Sequence, residues 1–98
     1  MTVYVVAKIN IQDRERYGRY ESGFAEIFQQ YDGELLAVDE APIEIEGTWD
    51  ATRTVLLRFP SKAALDAWYH SDAYQALAQH RFAASEANIA MIEALPVS

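Results

Sequence analysis

Apolar and polar positions along the chain change period several times, and each change marks an element. Thr2 to Asn10 is rich in β-branched residues and reads as a strand. Val3, Val5, Ala7 and Ile9 lie on one side, and Tyr4 and Val6 on the other, so both faces need cover. Asp13 is a helix N-cap candidate. Tyr17, Tyr20, Phe24, Ile27, Phe28 and Tyr31 then recur at the spacing of one helical face. Gly33 follows the last of them and is expected to end the helix in a left-handed cap. Gly18 and Gly23 fall inside the helix but off the aromatic stripe, where the pattern gives them no packing role.

Glu34 to Val38 reads as a second strand. Beyond a turn at Asp39-Glu40-Ala41-Pro42, Ile43-Glu44-Ile45-Glu46 alternates apolar with acidic and predicts an edge strand or hairpin arm ended by Gly47. Thr52 to Phe59 predicts a third main strand, stopped by Pro60. Ser61 is suited to cap a helix over Lys62 to His70. Ser71 and Asp72 then mark a break and a restart. Tyr74, Leu77, Ala78 and Arg81 follow at i, i+3, i+4 and i+7, the inward stripe of the second segment. Asn88 to Leu95 predicts a last strand.

The order β-α-β-β-α-β predicts one α+β domain over residues 1–98 with a ferredoxin-like fold: a four-stranded antiparallel sheet with both helices on one face. The first and third strands would leave apolar side chains on the uncovered face. Exposing them forfeits roughly 1.5–3 kcal/mol each, so a homodimer joined through sheet faces is expected.

Composition narrows the classes of function. Eight Lys and Arg against fifteen Asp and Glu give a net charge of −7, which weighs against nucleic acid or an anionic membrane as partner. There is no cysteine, which excludes disulfides and thiolate metal sites. With two histidines, neither metal nor cofactor is expected. The opening Met1 to Val6 lacks the features of a signal peptide, and a cytoplasmic location is expected. From Tyr20 to Thr52 there are nine carboxylates and no Lys or Arg; Glu44, Glu46 and Asp50 read as a solvated edge rather than a cation site.

Candidate chemistry gathers at the helix break. Tyr69 and Tyr74 carry phenol donors, Trp68 offers an apolar wall, and Ser71 and the freed backbone N–H groups suit an anion. Tyr69 and His70 are the candidate proton carriers. Arg81, on an inward stripe, must either pair with an internal acid such as Glu46 or face a cavity, where it would grip a carboxylate. Arg53 is a second candidate for that task. Tyr17 and Tyr20 would line such a cavity from the first helix. Tyr20, Trp68, Ser71, Tyr74 and Arg81 are therefore the expected ligand-binding set. Three functions remain open: a small enzyme, a non-catalytic binding domain using the same pocket, and a structural dimer with a filled interior.

Asp13-x-x-x-Tyr17-x-x-Tyr20, Tyr31-Asp32-Gly33, Glu46-Gly47, Phe59-Pro60-Ser61 and Ala67-Trp68-Tyr69-x-Ser71-x-x-Tyr74-x-x-Leu77-x-x-x-Arg81 together resemble family 1330 of the domains of unknown function. The resemblance spans nearly the whole chain. It implies membership of the dimeric α/β-barrel superfamily, which includes cofactor-free monooxygenases, isomerases, haem-dependent enzymes and proteins without known activity. Two departures stand out. Val38-Asp39-Glu40-Ala41 replaces an Arg-Gly-Gly type of turn, and Asp72 follows Ser71 where Pro is common.

Overall fold

The computed structural model describes residues 1–96. Its elements run β1 (Val3–Ile11), α1 (Arg14–Phe28), β2 (Glu34–Asp39), β3 (Arg53–Phe59), α2 (Lys62–Tyr69), α3 (Asp72–Ala84) and β4 (Ser85–Glu93). The sheet order is β2-β3-β1-β4, antiparallel throughout. This is the expected ferredoxin-like arrangement, with the second helix divided in two.

All three expected caps form. Asp13 Oδ1 accepts from the Arg16 N–H at 3.1 Å, Ser61 Oγ from Ala64 at 3.1 Å, and Ser71 Oγ from Tyr74 at 3.2 Å. Each satisfies one of the N–H groups that a helix start leaves without an intrahelical partner.

On β1, Val3, Val5, Ala7 and Ile9 are buried on the helix-facing side. The register sets them beside Phe59, Leu57, Val55 and Arg53 of β3 and Glu93, Met91, Ile89 and Ala87 of β4. The other face carries Tyr4 and Val6, with Leu56 of β3 and Ala90 and Ile92 of β4 as cross-strand neighbours. Ile92 is half exposed there. Trp49 stands over one end of this face: its Nε1 donates to Thr54 Oγ1 at 2.8 Å, and Lys8 Nζ lies 4.5 Å from its ring centroid.

Four expectations are corrected. Ile43–Glu46 is not a strand. The stretch between β2 and β3 is irregular, with Ile43 and Ile45 more than nine-tenths exposed. Glu44 accepts the Trp49 N–H at 2.7 Å, and Gly47 turns the chain at φ +72°, so local bonds replace ladder pairing. Gly33 does not form a left-handed cap, since Gly47 is the glycine with positive φ. Gly33 is a packing glycine: a Cβ there would stand 2.5 Å from the Phe28 ring and 2.6 Å from that of Phe59. Gly23 does have a packing role, because a Cβ would meet Leu77 Cδ1 at 2.7 Å where α1 crosses α3. Finally, β4 starts at Ser85 rather than Asn88, because β1 pairs with it as far as Ile11.

Candidate functional site

A cavity of about 260 Å³ lies between the helices and the sheet. Its floor comes from inward residues of β1 and β3, among them Val5, Ala7 and Leu57. Its roof comes from Tyr17, Tyr20 and Phe24 of α1, Trp68 and Tyr69 of α2, and Tyr74 and Arg81 of α3. The break at Ser71 shapes this roof. Ser71 Oγ donates to the Trp68 carbonyl at 2.8 Å while accepting from Tyr74 N–H, so one hydroxyl ties the end of α2 to the start of α3. The Trp68 and Tyr74 ring centroids are then 4.2 Å apart, and Trp68 stacks on Phe59 at 5.6 Å.

The polar groups of the cavity are few. The Tyr20 and Tyr74 phenols share a hydrogen bond of 2.7 Å. One phenol proton is used in that bond, and the other is free to be donated elsewhere. Burial pushes the Tyr20 pKa well up, and the Tyr74 phenol adds to the shift. Burial also raises Tyr17, against the opposing pull of Arg53. Both are neutral phenols at ordinary pH.

Arg81 is 4% exposed. Its Nε and Nη2 are buried and without a hydrogen-bond partner, and no carboxylate pairs with it among the described residues. Glu46, one acid proposed for it, is exposed. Its cationic carbon lies 5.6 Å from the Tyr20 ring centroid and 4.9 Å from that of Phe82. Burial works to lower its pKa, but the Tyr74 and Tyr20 oxygens outweigh this and the net direction is upward. Arg81 is therefore a cation at any physiological pH. The two unpartnered nitrogens form one edge of the guanidinium fork, the edge that a carboxylate engages bidentately.

Arg53 is held differently. Its Nη2 pairs with Glu21 and its Nη1 with Glu40, each at 3.2 Å, and Glu40 also takes Arg14 at 2.8 Å. The hydrogen bond from Arg14, joined by that from Arg53, holds the Glu40 carboxyl below the usual carboxylate range. Arg53 Nε remains buried without a partner, as does Trp68 Nε1.

The structure thus brings Tyr20, Trp68, Tyr74 and Arg81 around one space, with Tyr69 on its wall. It does not bring Ser71 or His70 there. Ser71 has its hydroxyl committed to backbone groups, and its part is to set Trp68 and Tyr74. His70 is exposed at the end of α2, edge-on to Tyr69 at 5.2 Å. Sequence reasoning missed Glu21, which lines the cavity and engages Arg53. The signal was available: Glu21 lies four residues after Tyr17, hence on the same helical face.

This geometry defines a ferredoxin-like α+β protein with a polar-tipped apolar cavity between helices and sheet. The chain belongs to the family described as Domain of unknown function (DUF1330), whose model matches residues 2–95. No curated protein matches the sequence. Among solved structures, a protein of unknown function from Rhodopseudomonas palustris is similar with a TM-score of 0.82 at 16% identity, over 98% of this chain and 84% of that one. SnoaB, a cofactor-independent oxygenase from Streptomyces nogalater, gives 0.71 at 11% identity, over 98% and 95%. A dimeric ferredoxin-like protein of unknown function from Jannaschia sp. CCS1 gives 0.71 at 18% identity, over 96% and 100%. At these identities the likeness is one of fold. No helix among the described residues is long and apolar enough to cross a membrane.

Proposed function

We propose that this protein binds a small organic anion, a carboxylate or an enolate, in the cavity between helices and sheet, and that it works as a homodimer. The observation that carries this reading is Arg81: a buried guanidinium whose bidentate edge has no partner among the described residues, in a cavity walled by rings and aliphatic side chains apart from the mutually paired Arg53 and Glu21. An unpaired buried charge is costly to keep, and a ligand anion removes that cost. Tyr20, Trp68 and Tyr74 wall the ligand's apolar body, and the free phenol proton of the Tyr20–Tyr74 pair donates to a second oxygen of its head group.

The same arrangement suits proton-transfer chemistry. Donors fixed around a developing enolate oxygen stabilise it, and Tyr69 on the cavity wall is the first choice of proton carrier. Cofactor-free oxygenation, the activity named for the Streptomyces nogalater neighbour, would then draw its electrons from the ligand's own carbanion. A purely binding role uses the same contacts without turnover.

The dimer reading rests on the outer sheet face, where Tyr4, Val6, Leu56, Ala90 and Ile92 form an apolar centre that a second copy would cover. The Jannaschia neighbour of the same fold is described as dimeric.

A panel of aromatic and aliphatic carboxylates, screened by thermal shift and followed by calorimetry, tests the binding reading. Arg81→Ala should abolish the affinity found, and Tyr74→Phe should weaken it. Unchanged affinity in both variants would place the ligand elsewhere. Light scattering tests the dimer: wild type should run as two copies and Leu56→Glu as one.

A further inference from the structure

The two arginines of the cavity stand in similar surroundings but differ in their charge balance. Tyr17 and Tyr20 have ring centroids 5.4 Å apart. Arg53 lies against the first ring, 5.7 Å from its centroid, and Arg81 against the second, at 5.6 Å. Arg81 has no acid. Arg53 has two, Glu21 and Glu40, and the four-residue network Arg14–Glu40–Arg53–Glu21 sums to zero charge. What Arg53 still offers is one buried N–H, at Nε, which can satisfy an acceptor without needing its charge.

The geometry points to a ligand of defined charge: a monoanion held by Arg81 that also bears a neutral acceptor, such as a ketone or hydroxyl, to take the Arg53 Nε–H. This rests on the carboxylate-binding reading above and adds a rule of selection to it. A second carboxylate beside Arg53 would meet the Glu21 carboxylate, with no uncompensated cation to hold it. Juxtaposed like charges in a partly desolvated site are rejected strongly, and a donor left without an acceptor also weakens binding. Glu21 would thereby act as a specificity residue that excludes dianions.

Three probes of similar length separate these effects: 4-acetylbenzoate, with a neutral acceptor; 4-ethylbenzoate, with none; and terephthalate, which carries a second charge at about pH 7. Calorimetry on the intact protein should find 4-acetylbenzoate the tightest, by about tenfold over each of the others. Glu21→Gln keeps the side chain's shape but removes its charge, and should strengthen terephthalate binding by about tenfold while changing 4-acetylbenzoate little. Asp66→Asn controls for net charge, since Asp66 is bound in an exposed pair with Lys62, and it should leave the ranking as in wild type.

Terephthalate binding as tightly as 4-acetylbenzoate in wild type would overturn the rule. So would discrimination that Glu21→Gln leaves intact, which would assign it to shape. Equal affinity for 4-acetylbenzoate and 4-ethylbenzoate would remove the role of the Arg53 N–H. Failure of all three to bind would instead overturn the underlying cavity reading, and that result is distinct from binding without selection.

Discussion

Replacing Arg81 by methionine should make the protein more stable while making it unable to bind an anion. The guanidinium is 4% exposed, with Nε and Nη2 unpartnered and no carboxylate to balance it among the described residues. Burying an ion costs several kcal/mol even after relaxation, and here no ion pair offsets it. The compensation comes from the faces of Tyr20 and Phe82, at 5.6 and 4.9 Å, and from the Tyr74 and Tyr20 phenol oxygens beside the guanidinium. The ring contacts contribute roughly 0.5–2 kcal/mol each, and the half-exposed Phe82 falls toward the lower end. Methionine is comparable in length, about as good a helix former, and flexible enough to fill the space left by the head group. The balance predicts a gain of about 1–3 kcal/mol for Arg81→Met. In a domain of this size each kcal/mol moves Tm by roughly 4–8 °C, so the rise should be easy to read in thermal and urea unfolding. Both proteins must be compared at one protomer concentration, because the apparent stability of any protein that self-associates depends on it. A loss of more than about 1 kcal/mol would refute the reasoning, since it would mean that Arg81 is satisfied in the folded state and holds the structure together.

Other substitutions probe the neighbouring contacts. Tyr20→Phe and Tyr74→Phe should each cost about 1–2 kcal/mol in urea unfolding by stranding the partner hydroxyl. The double variant should cost less than the sum, and strict additivity would mean that the 2.7 Å bond is not formed. The three glycines around α1 should rank by what a methyl would meet. Gly18→Ala meets nothing within 4 Å and should stabilise by about 0.5–1 kcal/mol. Gly23→Ala presses on the movable end of Leu77 and should fall between the others. Gly33→Ala drives into two buried rings and should destabilise by about 1–3 kcal/mol; a neutral result there would contradict the packing of Phe28 on Phe59. Alkaline titration has a definite sign. Tyr20 and Tyr17 have folded pKa values raised above 10, chiefly by burial, so their contribution is fully present below about pH 10 and is lost as pH rises above it. Circular dichroism should show unfolding beginning above about pH 10, and Tyr20→Phe should delay it.

The parts of the fold that were legible in the sequence depend on local rules. Asp13, Ser61 and Ser71 cap helices wherever they precede one, and the alternation in β1 follows from the pleat. Arg81 could be placed inside because the spacing from Tyr74 fixes its side of α3 whatever α3 packs against. The misread parts depend on distant partners. Gly33 is required by Phe59, and Gly23 by Leu77 of another helix. The alternation at Ile43–Glu46 is a good local strand signal, but the segment pairs with no strand of the sheet and is held instead by Glu44 and Gly47. In the candidate site, the aromatic wall was readable from helical spacing. The grouping of Glu21, Glu40 and Arg53 was not, because it joins α1, the end of β2 and the start of β3.

The cavity and the unpaired cation bear jointly on function. A filled interior with Arg81 bound to an internal acid is what a purely structural dimer would present. Either departure alone has an ordinary explanation: imperfect packing can leave a gap, and a buried arginine can be retained beside aromatic faces. Here they coincide, because the free edge of Arg81 belongs to a residue lining the gap, and the nearest other cation on that lining, Arg53, is already balanced by Glu21 and Glu40. Both also work against a folded state worth only about 5–15 kcal/mol in total, and an anionic ligand in the cavity would offset both at once. If Arg81→Met stabilises the protein while removing affinity for carboxylates, this arginine serves binding at the expense of folding.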